Sequence, residues 1–416
     1  MRSWLSRRLP WVIAVGAVAG AFQLVQIAQR SPYVWHDFTQ DHVAVREAFA
    51  GRNPYLPQNS RIAELFGKGP PEKEPAYSFH PPTTLVFFVP LVALDYRDAF
   101  VAWMVVSAAA MGWIGYVVLV ALGQPGRPWL AAGLGLTLVN VWPLRENFIE
   151  GQLNVVVAAA IAAYWLGLRR GAPALSGIAL AAAVALKPLA AVFVLYAFWR
   201  LQIKVLAWSA VAMALFAVAG VALAGLEGTA TYVSTAYPLH AALWPGYHDN
   251  ASPEGLFTRL FGPTPWKPWP LFPVAGLAWI LTLATWGLAL ALLFACLGRG
   301  RPEDERLDAE LAALGCTMLL VTPIIWPHYY VVLVAPLAVL TAQAVRRVDR
   351  VGLAILLVSV LILMIPRNEL TPRLLGTIHL PALIAIYVQS LRALRAAHAD
   401  RGAPRRSAQS ALARAL

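Results

Sequence analysis

A chain of 416 residues that is 59% hydrophobic and only 13% charged is too apolar for a soluble fold. Its net charge of +12 does not mark a nucleic-acid binder, because the basic residues lie in short stretches between apolar runs, where they act as topology signals and as contacts to anionic lipid. The two cysteines, Cys296 and Cys316, sit in apolar surroundings without metal-ligand spacing, so a disulfide framework and a zinc site are both disfavoured.

Crossing a bilayer takes about 20 residues at helical rise. The first apolar run, Pro10 to Ala28, follows Arg7 and Arg8 and is long enough to be a retained span rather than a cleaved signal. Further apolar runs cover 98–122, 129–143, 152–168, 173–199, 204–226, 272–297, 309–326, 328–345, 351–366 and 374–395. The expected fold is an all-α polytopic membrane protein with about 10–13 membrane segments. A single membrane domain spans 1–397, and a basic, solvated tail occupies 398–416.

If every run crossed once, the basic stretches Leu168-Arg169-Arg170 and Arg200 to Lys204 would fall on opposite sides, against the positive-inside rule. The conflict disappears if 173–199 is a broken hairpin turning at Lys187-Pro188, where proline cannot donate an intrahelical bond. Lys187 then faces the outer half of the membrane. The short run Thr83 to Leu94, interrupted by Pro90, fits an interfacial helix on that face. Both termini become cytoplasmic, and two long segments, 31–82 and 227–271, become outer loops whose Trp, Tyr, His and Pro content argues against disorder.

Polar residues concentrate in a few places. Asp37 follows the first span, with Phe38, Val45 and Phe49 at helical spacing behind it, so it can cap an amphipathic surface helix or serve as a base at the water–lipid boundary. Arg145, Glu146, Asn147, Glu150, Gln152 and Asn154 crowd a break between two apolar runs, where they either cap helix ends or face a common cavity. Lys187 is the sharpest signal, because an ammonium inside an apolar hairpin costs several kcal/mol unless an anion or a wet cavity receives it. His328 lies among aromatic residues after Trp326-Pro327 and reads equally as a ligand-binding imidazole or a belt residue. Nucleotide-binding glycine loops, nucleophile elbows and metal-ligand patterns are missing from the sequence.

The order of these pieces resembles glycosyltransferase family 87. It runs from Asp37-Phe38 through Gly51-Arg52-Asn53-Pro54-Tyr55, Phe79-His80-Pro81-Pro82, Gly151-Gln152-Leu153-Asn154 and Leu186-Lys187-Pro188 to Asn250–Arg259 and Trp326-Pro327-His328-Tyr329, over nearly the whole chain. The resemblance implies a GT-C fold and a sugar, mannose by inheritance from the family, carried on polyprenyl phosphate at the extracytoplasmic side. It implies Asp37 as general base; one departure, Asp41 where an aromatic residue is expected, keeps Asp41 as the alternative.

Resemblance and chemistry together predict an inverting transfer to a lipid or glycan acceptor without a cofactor. Lys187, Arg259 and His328 are expected to offset the charge of the leaving phosphate, so that no metal is required. Sugar or acceptor contacts are expected from His80, Arg145, Glu146, Glu150, Gln152, Asn154, Asn250 and Trp326. The rival reading is a transporter or flippase for lipid-linked saccharides, since broken helices around a buried lysine also mark transport sites.

Overall fold

The computed structural model describes residues 2–30, 36–67, 76–124, 128–264, 271–274, 276–298, 302, 304–365 and 378–399; the expected tail beyond 399 lies outside this set. Its helices, in chain order, are α1 (Arg2–Arg30), α2 (Asp37–Phe49), α3 (Asn59–Phe66), α4 (Pro82–Phe88), α5 (Tyr96–Ala121), α6 (Pro128–Leu138), α7 (Trp142–Ile149), α8 (Asn154–Arg170) and α9 (Pro173–Leu186). They continue as α10 (Ala191–Trp199), α11 (Ile203–Thr231), α12 (Tyr237–Leu243), α13 (Pro253–Phe261), α14 (Leu277–Cys296), α15 (Asp304–Leu320), α16 (Val334–Arg346), α17 (Arg350–Leu363) and α18 (His379–Ala399). Among the described residues, five helical stretches are long and apolar enough to cross a membrane, or six if α7 and α8, bent by 117° at their break, count as one. The protein is an all-α polytopic membrane protein. Its outward faces carry large exposed apolar side chains, such as Trp11, Phe22, Val211, Leu215 and Ile280, as expected where lipid replaces water.

Close helix contact is built from small residues. Gly20 of α1 packs so tightly on α6 that a Cβ there would lie 1.8 Å from the Leu136 carbonyl oxygen. The Thr137 hydroxyl donates to the Ile13 carbonyl at 3.2 Å and Asn140 Nδ2 to that of Gly16 at 3.0 Å. Gly16 and Gly20 thus act as a small-residue stripe of the kind that lets membrane helices approach.

The hairpin is present. α9 ends at Leu186, Lys187 is extended, Pro188 opens a 3₁₀ turn, and α10 returns so that Arg200, Leu201 and Gln202 line one cavity with Gly171, Ala172 and Pro173. Its two feet therefore share one end of the bundle, and Lys187 lies at the tip. At the feet, Glu310 of α15 accepts from Arg306 Nε at 2.9 Å and from the Tyr196 hydroxyl at 2.8 Å, and it also contacts Arg200. Next to it, Asp308 accepts from Arg169 Nη1 at 2.5 Å and from Trp165 Nε1 at 3.0 Å. These pairs explain why α15 begins at Asp304 rather than at the expected 309: four charged side chains precede that point, and Arg169 of α8 receives Asp304 and Asp308, Arg347 receives Glu305, and Arg306 turns to Glu310. Glu310→Ala should lower stability by about 3–5 kcal/mol by removing the carboxylate shared by two buried guanidinium groups; a melting temperature in detergent no lower than wild type would show that the network does not hold the hairpin foot.

Two further expectations are corrected. The run expected to end at 226 continues through a kink at Gly225 (φ 72°), a π-turn over Tyr232–Ala236 and α12, so the first part of the 227–271 segment is helix. Glycine there allows the chain to bend without losing the span. Helix α2 is capped by the extended residue His36, and Asp37 is its first residue rather than its cap.

Candidate active site

Helix α2 is held against the α7–α8 break by a direct backbone bond, Phe38 N–H to the Glu150 carbonyl at 2.9 Å. The next residue, Gly151, has φ +60°, and a Cβ on it would strike Phe38 Cβ at 2.6 Å. Only glycine satisfies both the backbone angle and the approach. This junction places Gln152 beside Asp37.

Gln152 is the centre of the arrangement. Its Nε2 donates to Asp37 Oδ2, and its Oε1 accepts from Lys187 Nζ at 2.9 Å and from Asn154 Nδ2 at 3.4 Å. The Asn147 amide braces the Gln152 carbonyl at 3.3 Å. A half-buried carboxylate and a buried ammonium are thus joined through one side-chain amide at the hairpin tip. Lys187 forms no direct ion pair among the described residues; its Nζ lies 4.2 Å from the centre of the Tyr329 ring, whose face attracts a cation. His328 is buried beside Tyr329 with both ring nitrogens lacking hydrogen-bond partners among the described residues, and its Nδ1 is 3.9 Å from Glu146 Oε1. Arg145 Nε is likewise buried without such a partner.

Asp41, one turn along α2 from Asp37, is buried and accepts from His80 Nδ1 at 2.8 and 3.0 Å. The two candidate carboxylates therefore differ: Asp37 faces Gln152, whereas Asp41 is committed to an imidazole. His80 precedes Pro81 and α4, whose first hydroxyls close the C-terminal end of α9. Thr83 Oγ1 donates to the Ala185 carbonyl at 2.7 Å and Thr84 Oγ1 to that of Leu186 at 3.0 Å. The exposed carbonyls left where proline breaks the hairpin are satisfied in this way.

Behind the site, His42 is wedged between the Phe38 and Tyr96 rings at centroid distances of 5.7 and 5.4 Å. Burial, reinforced by Arg46, lowers its pKa from 6.5 to about 4. The folded state binds that proton less well than the unfolded chain, so this contribution is full above about 6.5 and is lost as pH falls toward 4. His42→Phe should flatten the fall in melting temperature across that window; an unchanged slope would take His42 out of the acid response.

Other expected site residues have different occupations. Asn250 spends its side chain on the loop: Nδ2 donates to the Pro245 and Pro323 carbonyls at 3.0 and 2.9 Å, and Oδ1 accepts from Ser252 N and Ile325 N at 3.0 and 2.9 Å. Arg259 donates to the carbonyls of Tyr247 at 2.6 Å and Asn250 at 3.0 Å, which makes it a clamp on the same loop. Trp326 packs edge-on against Trp244 and Tyr247. Sequence reasoning missed Thr83, Thr84 and Tyr329. The threonine pair directly after His-Pro-Pro was a visible signal, whereas the ring over Lys187 depends on a contact across the chain. Among the described residues no cluster of His, Cys, Asp and Glu is arranged to hold a metal ion.

A carboxylate, an amide and an ammonium thus lie in series at the hairpin tip of a polytopic helical membrane protein. The chain matches the model of glycosyltransferase family 87 over residues 79–323 and belongs to that family. It is similar to the polyprenol-phosphate-mannose-dependent alpha-(1-2)-phosphatidylinositol mannoside mannosyltransferase of Mycolicibacterium smegmatis, at 31% identity over 226 residues. That alignment covers 53% of this chain and 49% of the relative, so the chain spans about half the length of the curated relative it matches.

Proposed function

We propose that the protein transfers a mannosyl group from polyprenyl-phosphate mannose to a hydroxyl of a lipid or glycan acceptor, at the extracytoplasmic face and with inversion. The observation that carries this reading is the series Asp37–Gln152–Lys187, which puts a base and a cation on either side of one amide. Asp37 takes the proton of the acceptor hydroxyl as its oxygen bonds to the anomeric carbon. The bond from that carbon to the phosphate oxygen breaks, and the phosphate monoester leaves with the electron pair toward Lys187 and His328. One displacement from the face opposite the phosphate inverts the centre. Family membership and the named relative support the donor; the relative's printed acceptor, a phosphatidylinositol mannoside, is the first to test.

The distribution of charge supports the extracytoplasmic side. Arg169, Arg170, Arg200, Lys204 and Arg306 gather at the hairpin feet, which the positive-inside rule assigns to the cytoplasm, and the site lies at the opposite end. A flippase would have less reason to keep a carboxylate in hydrogen-bonded series with the cation. The test uses sealed right-side-out vesicles containing the protein and labelled polyprenyl-phosphate mannose. Phosphatidylinositol mannoside added outside should gain label as free polyprenyl phosphate appears; movement of intact donor between leaflets without its cleavage would overturn the proposal.

A further inference from the structure

The Asp41–His80 pair has no part in the displacement just described, yet its geometry is that of a built acceptor. A carboxylate offers only lone pairs, and both Asp41 oxygens lie at 2.8 and 3.0 Å from His80 Nδ1, so Nδ1 carries the hydrogen. In the neutral ring Nε2 then presents a lone pair, and among the described residues no hydrogen bond engages it. The Asp41 carboxylate is buried, whereas the His80 side chain retains 20% exposure. The pair is thus anchored on one side and open on the other.

Its position relative to Lys187 is fixed. His80 leads through Pro81, which holds an extended backbone, into α4, whose Thr83 and Thr84 hydroxyls are bonded to Ala185 and Leu186, the two residues before Lys187. Asp37 and Asp41 both lie within electrostatic reach of Lys187. They stand four residues apart on α2, about 6 Å at helical rise, comparable with the width of one pyranose ring. A hexose whose phosphate rests at Lys187 and whose anomeric carbon lies near Asp37 would therefore extend its far hydroxyls toward His80.

We propose that His80 is a specificity-determining residue that accepts a hydrogen bond from a hydroxyl of the transferred sugar, and that Asp41 is its positioning residue. A lone pair on Nε2 suits a hydroxyl and repels a phosphate oxygen, which divides the work between His80 and Lys187. This inference rests on the proposed donor. It explains why the chain has a second carboxylate on α2: Asp41 sets the tautomer of the sugar-reading imidazole.

The test compares binding of two lipids to the purified full chain: polyprenyl-phosphate mannose, and polyprenyl phosphate without sugar. His80→Ala should weaken the mannosylated lipid about tenfold, the cost of one hydrogen bond to a partly buried group, and leave polyprenyl phosphate unchanged. His80→Gln, which restores an acceptor oxygen, should recover part of the difference. Asp41→Asn, whose Nδ2 can donate to the ring as readily as its Oδ1 accepts, no longer dictates the tautomer and should show part of the His80→Ala defect, and Asp41→Ala should show it in full. Equal weakening of both lipids in His80→Ala would overturn the proposal in favour of a phosphate contact, and so would unchanged binding of both. Wild-type protein that binds neither lipid would refute the donor assignment itself, and the inference with it. Melting temperatures of all variants separate misfolding from lost recognition, and the Gln variant supplies the answer if Ala does not fold.

Discussion

Asp37→Asn is expected to lower turnover by about 10² or more while leaving the fold and the binding of polyprenyl phosphate intact. The asparagine keeps an oxygen that can accept from Gln152 Nε2, so the contact between α2 and the α7–α8 break survives. What disappears is the ability to take a full proton from the acceptor hydroxyl as its oxygen closes on the anomeric carbon. Substrate added at saturation should not rescue the rate, because the loss lies in the transition state and not in binding. Asp41→Asn provides the comparison: its loss lies in recognition of the sugar, so saturating donor should restore turnover toward the wild-type rate. Near-normal turnover by the Asp37 variant together with an inactive Asp41 variant would transfer the base to Asp41 and make the bond to His80 part of the proton transfer.

The second large effect is on Lys187. Replacing it with methionine removes the charge and keeps a similar apolar stem, and affinity for polyprenyl phosphate should fall roughly ten- to a hundredfold, the value of a charge-assisted bond of about 1.5–3 kcal/mol. Thermal stability should be unchanged or higher. Lys187 is 3% exposed, and among the described residues its ammonium meets the Gln152 oxygen and the Tyr329 ring but no direct counter-ion, so the resting protein bears its desolvation. Lys187→Arg should regain part of the binding through its permanent charge, with the fit limited by its broader planar fork. A methionine variant that melts lower yet binds the lipid normally would make Lys187 a structural residue of the hairpin tip.

Much of this was legible in the chain as written. Apolar runs of bilayer length define an all-helical membrane protein because no other backbone arrangement of such segments satisfies its own hydrogen bonds in lipid. The clash between two basic stretches and a single crossing was enough to infer the hairpin, since charge placement constrains topology from short stretches of sequence. Lys187 stood out because an ammonium in hydrocarbon is expensive wherever the rest of the chain lies.

Other features were not legible, for identifiable reasons. The partners of Asn250 and Arg259 could not be read from the one-dimensional sequence: they include backbone groups of their own loop, of Pro323 and of Ile325, and such bonds carry no signature in residue type. The start of α15 was misplaced because Asp304, Glu305, Arg306 and Asp308 look like the boundary of an apolar segment until Arg169 of α8 and Arg347 are brought to its acidic residues. The different surroundings of Asp37 and Asp41 also depended on the fold: residues one turn apart on the same helix are equivalent by spacing, and they become different only when His80, 39 positions away from Asp41, closes on one of them.

The sequence by itself determined the class of fold, the hairpin and the presence of a buried cation, because these follow from local transfer free energies and from the charge of neighbouring residues. The tertiary structure alone decided which polar side chains meet. Gln152 between Asp37 and Lys187, Thr83 and Thr84 on the end of α9, and His80 on Asp41 are hydrogen bonds between segments far apart in the chain. Such bonds depend on angles and distances that residue spacing does not encode.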